Sequence, residues 1–124
     1  MFSNSTTAVA AEVWVVCLCA EWCHVCRGMH PVFVQMKERL PEVRWVWLDI
    51  EDHDEALGEL DLTTLPTYLI GSDQGVLQFA PGPTSAEALE HFVRPYLRGA
   101  VAPQSHKPTL RQLLDHARSQ ARKP

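Results

Sequence analysis

A chain of 124 residues is long enough to form one domain with a hydrophobic core and too short to form two. Hydrophobic residues make up 46% of it and charged residues 21%, which is ordinary for a globular protein. The formal net charge of −4 is unevenly spread, because residues 1–93 carry 14 acidic and 4 basic side chains whereas residues 94–124 carry 1 and 7. The sequence therefore predicts an acidic body followed by a basic tail.

The amino-terminal segment lacks the pattern of a signal peptide. Residues 1–11 contain no Lys or Arg, and the apolar stretch over residues 8–20 is interrupted by Glu12. Cleavage after that stretch would remove the first predicted strand. The sequence also contains no run of the roughly 18 apolar residues that a membrane span needs. We therefore expect a cytoplasmic protein with no membrane partner.

The first half of the chain alternates between predicted strands and helices. Val13–Ala20 is a nearly continuous apolar run, which is typical of a strand buried on both faces. A helical periodicity follows over residues 23–40, and Val43–Ile50 is a second buried strand that a right-handed crossover would place parallel to the first. The acidic residues 51–61 predict a short exposed helix. The alternative is that they form a docking face for basic partners or for the tail.

The second half of the chain predicts a hairpin and two helices. Thr67–Ile70 and Val76–Phe79 flank a Gly-Ser-Asp-Gln-Gly turn, and a helix begins after Thr84 or Ser85 and runs to about residue 97. A basic helix with a leucine stripe, capped by Thr109, closes the chain. We predict a domain over residues 1–98 and a linker with a basic amphipathic helix over residues 99–124. That helix either docks on the body or binds a partner, and the sequence does not decide between them.

Four cysteines, at positions 17, 19, 23 and 26, lie within ten residues, which is unlike the spacing of a structural disulfide framework. Cys17 and Cys19 would share one face of the first strand at a spacing near the upper limit for a bridge, so we interpret both as free thiols. Cys23 and Cys26 lie where the strand gives way to the helix, on one helical face and within disulfide reach. The helix N-terminus favours a thiolate at Cys23. This layout indicates redox chemistry.

Other uses of a Cys-x-x-C pair have less support. A zinc site needs a second pair of Cys or His ligands, and none follows at ligand spacing. Haem attachment needs His after the second cysteine, where this chain has Arg27. A soft metal held by Cys23, His24 and Cys26 is a minor alternative. We predict no metal, no bound cofactor and, because the cations of the tail are dispersed, no nucleic-acid partner.

The segment Trp22-Cys23-His24-Val25-Cys26, with Leu65-Pro66-Thr67 about forty residues later, resembles the thioredoxin family over residues 12–98. The resemblance implies an α/β, thioredoxin-like fold with a four-stranded mixed sheet in the order 2-1-3-4, flanked by helices. The strand and helix that usually precede the motif have no room here, so the fold is expected to be shortened at its N-terminus. The implied function is thiol–disulfide exchange with protein substrates, driven by a reductase or a dithiol donor.

The resemblance also implies roles for the residues of the site. Cys23 would attack a substrate disulfide, and Cys26 would resolve the mixed disulfide. The Leu65–Pro66 bond would be cis and would present the backbone of Leu65 to an extended substrate, the alternative being an ordinary trans proline. An apolar groove beside His24 would be lined by Trp22, Val25, Pro66 and Gly82.

Two departures from the family concern charge. Cys17 stands where thioredoxins usually carry a buried Asp, and Trp47 where a Lys usually faces it, so both charges are replaced together. Loss of that Asp argues against fast reductase turnover and leaves a second hypothesis, a binding or assembly module with little catalysis. Cys17 is predicted to be a core residue, the alternative being an auxiliary redox thiol. His24 either stabilises the Cys23 thiolate, which makes the couple more oxidising, or points to water.

Overall fold

The computed structural model describes residues 12–58, 60, 62, 64–97 and 108–121. The predicted N-terminal shortening and the linker after residue 98 lie outside these residues. The described part contains four strands and four helices, which alternate in the first half and form a hairpin followed by two helices in the second. In chain order they are β1 Val13–Cys19, α1 His24–Arg39, β2 Val43–Asp49, α2 Asp54–Leu57, β3 Thr67–Ser72, β4 Gly75–Pro81, α3 Ala86–Leu97 and α4 Pro108–Ala121.

The strands form one mixed sheet in the order β2-β1-β3-β4, which confirms the predicted order. β1 runs parallel to β2, with Val13 opposite Val43 and Cys19 opposite Asp49. β3 is antiparallel to both β1 and β4. The parallel pair follows from the crossover through α1, and the antiparallel pair from the short turn between β3 and β4.

The central strand β1 is buried on both faces, as its continuous apolar sequence predicts. Successive side chains point to opposite faces of the sheet. The odd-numbered positions from Val13 to Cys19 pack in a cluster with α1 and α3, and the even-numbered positions from Trp14 to Leu18 pack in a second cluster with α2 and α4. The sheet therefore divides the protein into two cores, and the site residue Cys26 belongs to the first.

Helix α1 buries one narrow face against the sheet. Its buried residues recur at helical spacing, as Cys26, Met29, Phe33 and Met36. Pro31 lies within the helix on its exposed side. The helix ends at Arg39, and the Leu40 N–H donates to the Met36 carbonyl at 2.9 Å. The same helical face that fills the core thus carries Cys26 at its first turn.

Helix α4 packs its leucine stripe on the second face of the sheet. Leu113, Leu114 and Ala117 are fully buried there, and Arg118 forms an ion pair of 2.9 Å with Asp73 in the turn between β3 and β4. Gly71 makes this approach possible, because a Cβ at that position would overlap the side chain of Leu114. Of the two alternatives for this helix, the structure has the docked one.

Two details of α4 differ from expectation. The helix begins at Pro108, so Thr109 lies inside its first turn and the predicted cap at Thr109 is wrong. The reason is that proline is favoured at the first helical position, where its missing N–H costs nothing. His53 and His116 are half-buried with their ring nitrogens 2.9 Å apart, a contact that no sequence pattern predicted. Docking of α4 beside α2 brings them together.

A double-mutant cycle tests the contact between Gly71 and Leu114. Leu114→Ala should lower the free energy of unfolding by about 2–5 kcal/mol because it leaves a cavity. Gly71→Ala should lower it by about 1–3 kcal/mol because its methyl group overpacks the same place. In the double variant the methyl group enters the space left by Leu114, so the combined loss in urea denaturation should fall short of the sum by more than about 0.5 kcal/mol.

Gly28→Ala is the matched control for this cycle. A Cβ at Gly28, on the exposed side of α1, meets nothing within 4 Å. This variant should raise the free energy of unfolding by up to about 1 kcal/mol, through helix propensity alone, in either background. Strictly additive losses for Gly71→Ala and Leu114→Ala would contradict the proposed packing.

Candidate active site

A tight turn at the end of β1 carries the chain into α1 and positions Cys23. The Cys23 N–H donates to the Ala20 carbonyl at 3.0 Å, and the Cys23 carbonyl accepts from the Arg27 N–H at 3.1 Å. The Arg27 guanidinium donates to the Glu21 carbonyl at 2.9 Å and so holds the turn. Cys23 is the N-cap residue of α1, where free backbone N–H groups are available to a negatively charged sulfur.

The side chains of the motif differ sharply in exposure. Cys23 is half-buried, whereas Cys26, three residues later, is completely buried. Trp22 is 63% exposed and Val25 is 44% exposed, and His24 also lies on the exposed side. A large molecule can therefore approach Cys23 across an apolar surface, whereas Cys26 is accessible only from within the protein.

Cys26 forms a disulfide with Cys19, and Cys23 is a free thiol. The expectation that Cys19 is a free thiol is therefore wrong, and the bridge expected between Cys23 and Cys26 is not the one in the structure. Cys19 ends β1 on the sheet face that α1 covers, and its Cα lies 5.6 Å from that of Cys26, a normal spacing for a disulfide. The pairing depends on how the helix begins above the strand end, which sequence spacing does not reveal.

Cys17 is a free, fully buried thiol that lies two residues before Cys19 on the same face of β1. Its Sγ lies 3.6 Å from that of Cys19 and interacts with the Tyr68 side chain. Burial raises the pKa of Cys17 to about 12. Burial likewise raises the pKa of Tyr68, whose hydroxyl donates to the Pro83 carbonyl at 2.8 Å. Cys17 pairs with Trp47 across the strands, as predicted, and is a core residue.

The segment before β3 lies at the same end of the sheet as the cysteines. The Leu65–Pro66 peptide bond is cis. Leu18 of β1 is paired with Thr67, so Pro66 precedes β3 at the end of β1 where Cys19 stands. Leu65 packs against the core cluster that contains Cys19 and Cys26, and Cys23 contacts the same cluster. The topology thus brings together two segments that lie forty residues apart in the chain.

Gly82 completes this edge of the site. Its N–H donates to the Pro66 carbonyl at 3.4 Å, and a Cβ at Gly82 would overlap the ring of Tyr68. Of the predicted site residues, the fold joins Gly82 to Pro66 and places Leu65 with the cysteines. Trp22, His24 and Val25 lie on the outer surface of the motif. Tyr68 was missed, although its position on β3 opposite a strand cysteine follows from pairing the two strands.

The protonation of Cys17 predicts how stability changes with pH. The thiol has an ordinary pKa of 9.0 in the unfolded chain and one of about 12 in the fold, so above pH 9 the unfolded state binds fewer protons. The free energy of unfolding should therefore fall as pH rises from 9 to 12, with a Cys17 contribution of up to about 1.4 kcal/mol per pH unit. Cys17→Ala should show a shallower fall.

Urea denaturation at several pH values between 8 and 11 measures this difference. The cavity left by Cys17→Ala changes stability by the same amount at every pH, so only the slopes are compared. Equal slopes for the wild type and Cys17→Ala would contradict the assignment.

Comparison with known proteins places this chain in a family. The family model described as Thioredoxin matches residues 2–95. The chain is 27% identical to thioredoxin of Bacillus subtilis (strain 168) over 99 residues, which cover 77% of this chain and 90% of that protein. It is 32% identical to mitochondrial thioredoxin-3 of Saccharomyces cerevisiae over 54 residues, which cover 44% of this chain and 42% of that one.

Solved structures agree with the sequence comparison. The crystal structure of mitochondrial thioredoxin 3 from Saccharomyces cerevisiae, in its oxidized form, superposes with a TM-score of 0.59 at 26% identity, over 68% of this chain and 79% of that chain. Fasciola hepatica thioredoxin superposes with a TM-score of 0.60 at 23% identity, over 69% and 82% of the two chains, and supports the fold.

Proposed function

The chain belongs to the thioredoxin family of thiol–disulfide oxidoreductases, and we propose that Cys23 and Cys26 are the thiols through which it exchanges disulfides with protein substrates. One observation carries the assignment of these two residues. The sulfur of Cys23 is accessible at the N-cap of α1, and Cys26 lies buried beneath it on the first turn of the same helix. An accessible attacking thiol backed by a sheltered second thiol is the arrangement that the exchange reaction needs.

The proposed reduction of a substrate uses both thiols in turn. The Cys23 thiolate attacks one sulfur of the substrate disulfide, forms a mixed disulfide and releases the first substrate thiol. Cys26 then attacks the Cys23 sulfur, so that the second substrate thiol leaves and the protein holds one disulfide. A dithiol donor or a reductase returns the two electrons. Because Cys26 is bonded to Cys19 in the structure, this cycle starts only after that bond is reduced.

The proposed binding surface for substrate surrounds Cys23. Trp22 and Val25 offer exposed apolar area on the helix side. The half-buried Leu65 and Gly82, with the buried Pro66 of the cis peptide bond, would form the opposite side. The backbone of Leu65 would pair with an extended substrate segment as an added strand. His24 is exposed next to Cys23 in the chain, and there a protonated imidazole would stabilise the Cys23 thiolate.

The second hypothesis, a binding module with little turnover, is not favoured by the family assignment. The described part of the chain contains no helix long and apolar enough to cross a membrane. We propose the cytoplasm as the location, since a reducing compartment would open the Cys19–Cys26 disulfide and so start the cycle.

Reduction of insulin disulfides by dithiothreitol tests the proposed role of Cys23. The wild type should accelerate the reaction, as followed by the turbidity of the precipitating chains. Cys23→Ser should return the rate to that of dithiothreitol alone, because the hydroxyl does not attack a disulfide. Cys17→Ala is the control and should keep the acceleration. Equal rates for the wild type and Cys23→Ser would overturn the assignment.

The effect of His24 is a separate prediction. His24→Pro should make the reduction potential of the Cys23–Cys26 couple more negative by on the order of 30 mV, because it removes a cation that stabilises the reduced, thiolate form. Equilibration with glutathione buffers in a Cys19→Ala background measures this couple alone. Val25→Ala serves as the neutral control. A shift to a less negative potential, or none, would contradict the electrostatic role.

A further inference from the structure

We propose that Cys19 is a third catalytic thiol, which exchanges with the disulfide of Cys23 and Cys26 and moves that bond into the core. The exchange leaves Cys19 bonded to Cys26 and returns Cys23 to the thiol form. This inference rests on the proposed function, because it takes the bond between Cys23 and Cys26 as its starting point. The structure holds the product of this step, with Cys26 bridged to Cys19 and Cys23 free.

The geometry gives Cys26 a partner on each side. Below it, Cys19 ends the central strand, fully buried, with a Cα separation of 5.6 Å. Above it, Cys23 begins the helix three residues earlier and contacts the same core cluster as the other two. Because N-cap side chains lie against the backbone of the third helical residue, the position of Cys26 is within reach of both. The Cys26 sulfur can therefore bond either to the more exposed Cys23 or to the buried Cys19.

The exchange step balances without any further reagent. The Cys19 thiol gives up its proton, and its sulfur attacks the Cys26 sulfur of the bond between Cys23 and Cys26. The bond between Cys19 and Cys26 forms as the bond to Cys23 breaks, and Cys23 leaves as a thiolate. The proton lost by Cys19 is taken up by the leaving Cys23 sulfur, beside the N–H groups at the start of α1. The protein contains one disulfide before and after, so nothing is oxidised or reduced overall.

Solvation favours the disulfide between Cys19 and Cys26 over the disulfide between Cys23 and Cys26. A disulfide has no hydrogen to donate and no charge, so it is easily accommodated in the first core cluster, where Cys19 and Cys26 are 0% exposed. A thiol or thiolate is better placed at Cys23, which is half-buried and next to the helix N-terminus. We therefore expect the exchange to run toward Cys19 once substrate has oxidised the outer pair.

Cys17 provides a matched control for Cys19. It lies on the same strand face, is equally buried, and has its sulfur 3.6 Å from that of Cys19. It carries no disulfide and keeps its proton because of burial. Alanine at position 17 or at position 19 removes a buried thiol of the same kind, and only the second removes the proposed acceptor of the bond.

Cleavage after Glu21 distinguishes the two disulfides. A glutamyl endopeptidase separates residues 13–21, which contain Cys17 and Cys19, from residues 22–38, which contain Cys23 and Cys26. The reduced full-length protein is oxidised by a limiting amount of glutathione disulfide and sampled over time. Free thiols are blocked with N-ethylmaleimide before digestion at acidic pH, where exchange is slow. A bond between Cys19 and Cys26 links the two peptides, and a bond between Cys23 and Cys26 lies within the second.

In the wild type, the bond between Cys23 and Cys26 should form first and then be replaced by the bond between Cys19 and Cys26. At equilibrium the linked peptides should exceed the peptide with the internal bond by on the order of tenfold. Cys17→Ala should behave in the same way. Cys19→Ala should stop at the internal bond, and Cys23→Ser should form linked peptides slower by on the order of tenfold or more, because its remaining thiols are buried. Wild-type protein that keeps the internal bond would overturn the exchange, and so would linked peptides that form in Cys23→Ser at the wild-type rate.

The same digests separate failure of the exchange from failure of the proposed function. If Cys19→Ala forms the internal bond and accelerates insulin reduction, the pair of Cys23 and Cys26 is established whatever the wild type does. If Cys19→Ala forms no internal bond and shows no acceleration, the pair is not the reactive one, and the exchange that depends on it is overturned too.

Discussion

The chemistry of this protein depends on the contact between the last residue of β1 and the first buried residue of α1. Cys19 and Cys26 meet there because the turn over residues 20–23 reverses the chain directly above the central strand. That strand is covered on both faces, so the contact lies in the dry interior. Only Cys23, at the N-cap, remains accessible to other molecules. The backbone of one short turn thus separates an outer thiol from an inner disulfide.

Packing on the second face of the sheet, opposite α1, stabilises the strand that ends at Cys19. Helix α4 covers the even-numbered side chains of β1, and its approach depends on the missing side chain at Gly71. The ion pair between Arg118 and Asp73 shows that part of the charge asymmetry of the sequence is used inside the molecule, with the basic tail against the acidic body. Burial of β1 from both sides keeps the strand that ends at Cys19 in place.

The sequence predicted the parts of the structure that local periodicity determines. The amphipathic face of α1 and the leucine stripe of α4 follow from the spacing of apolar residues, whereas the order of the strands came from the family resemblance. The structure confirms all three. The partner of Cys26 could not be predicted, since it depends on the height of the helix start above the strand end. The contact between His53 and His116 was missed for a similar reason, as 63 residues separate them and docking of α4 alone joins them. The roles of Cys23 and Cys26 stay predictions.

Cys23 is half-exposed and the other three cysteines are fully buried, which determines what chemical labelling of the surface can detect. A labelling reagent confined to the surface would count one reactive sulfur whether the inner bond is closed or open. The state of the Cys19–Cys26 bond would be invisible to such a reagent, although under the proposed mechanism a client protein bonded to Cys23 would meet two different fates. With the inner bond open it would be released, and with that bond closed it would stay attached.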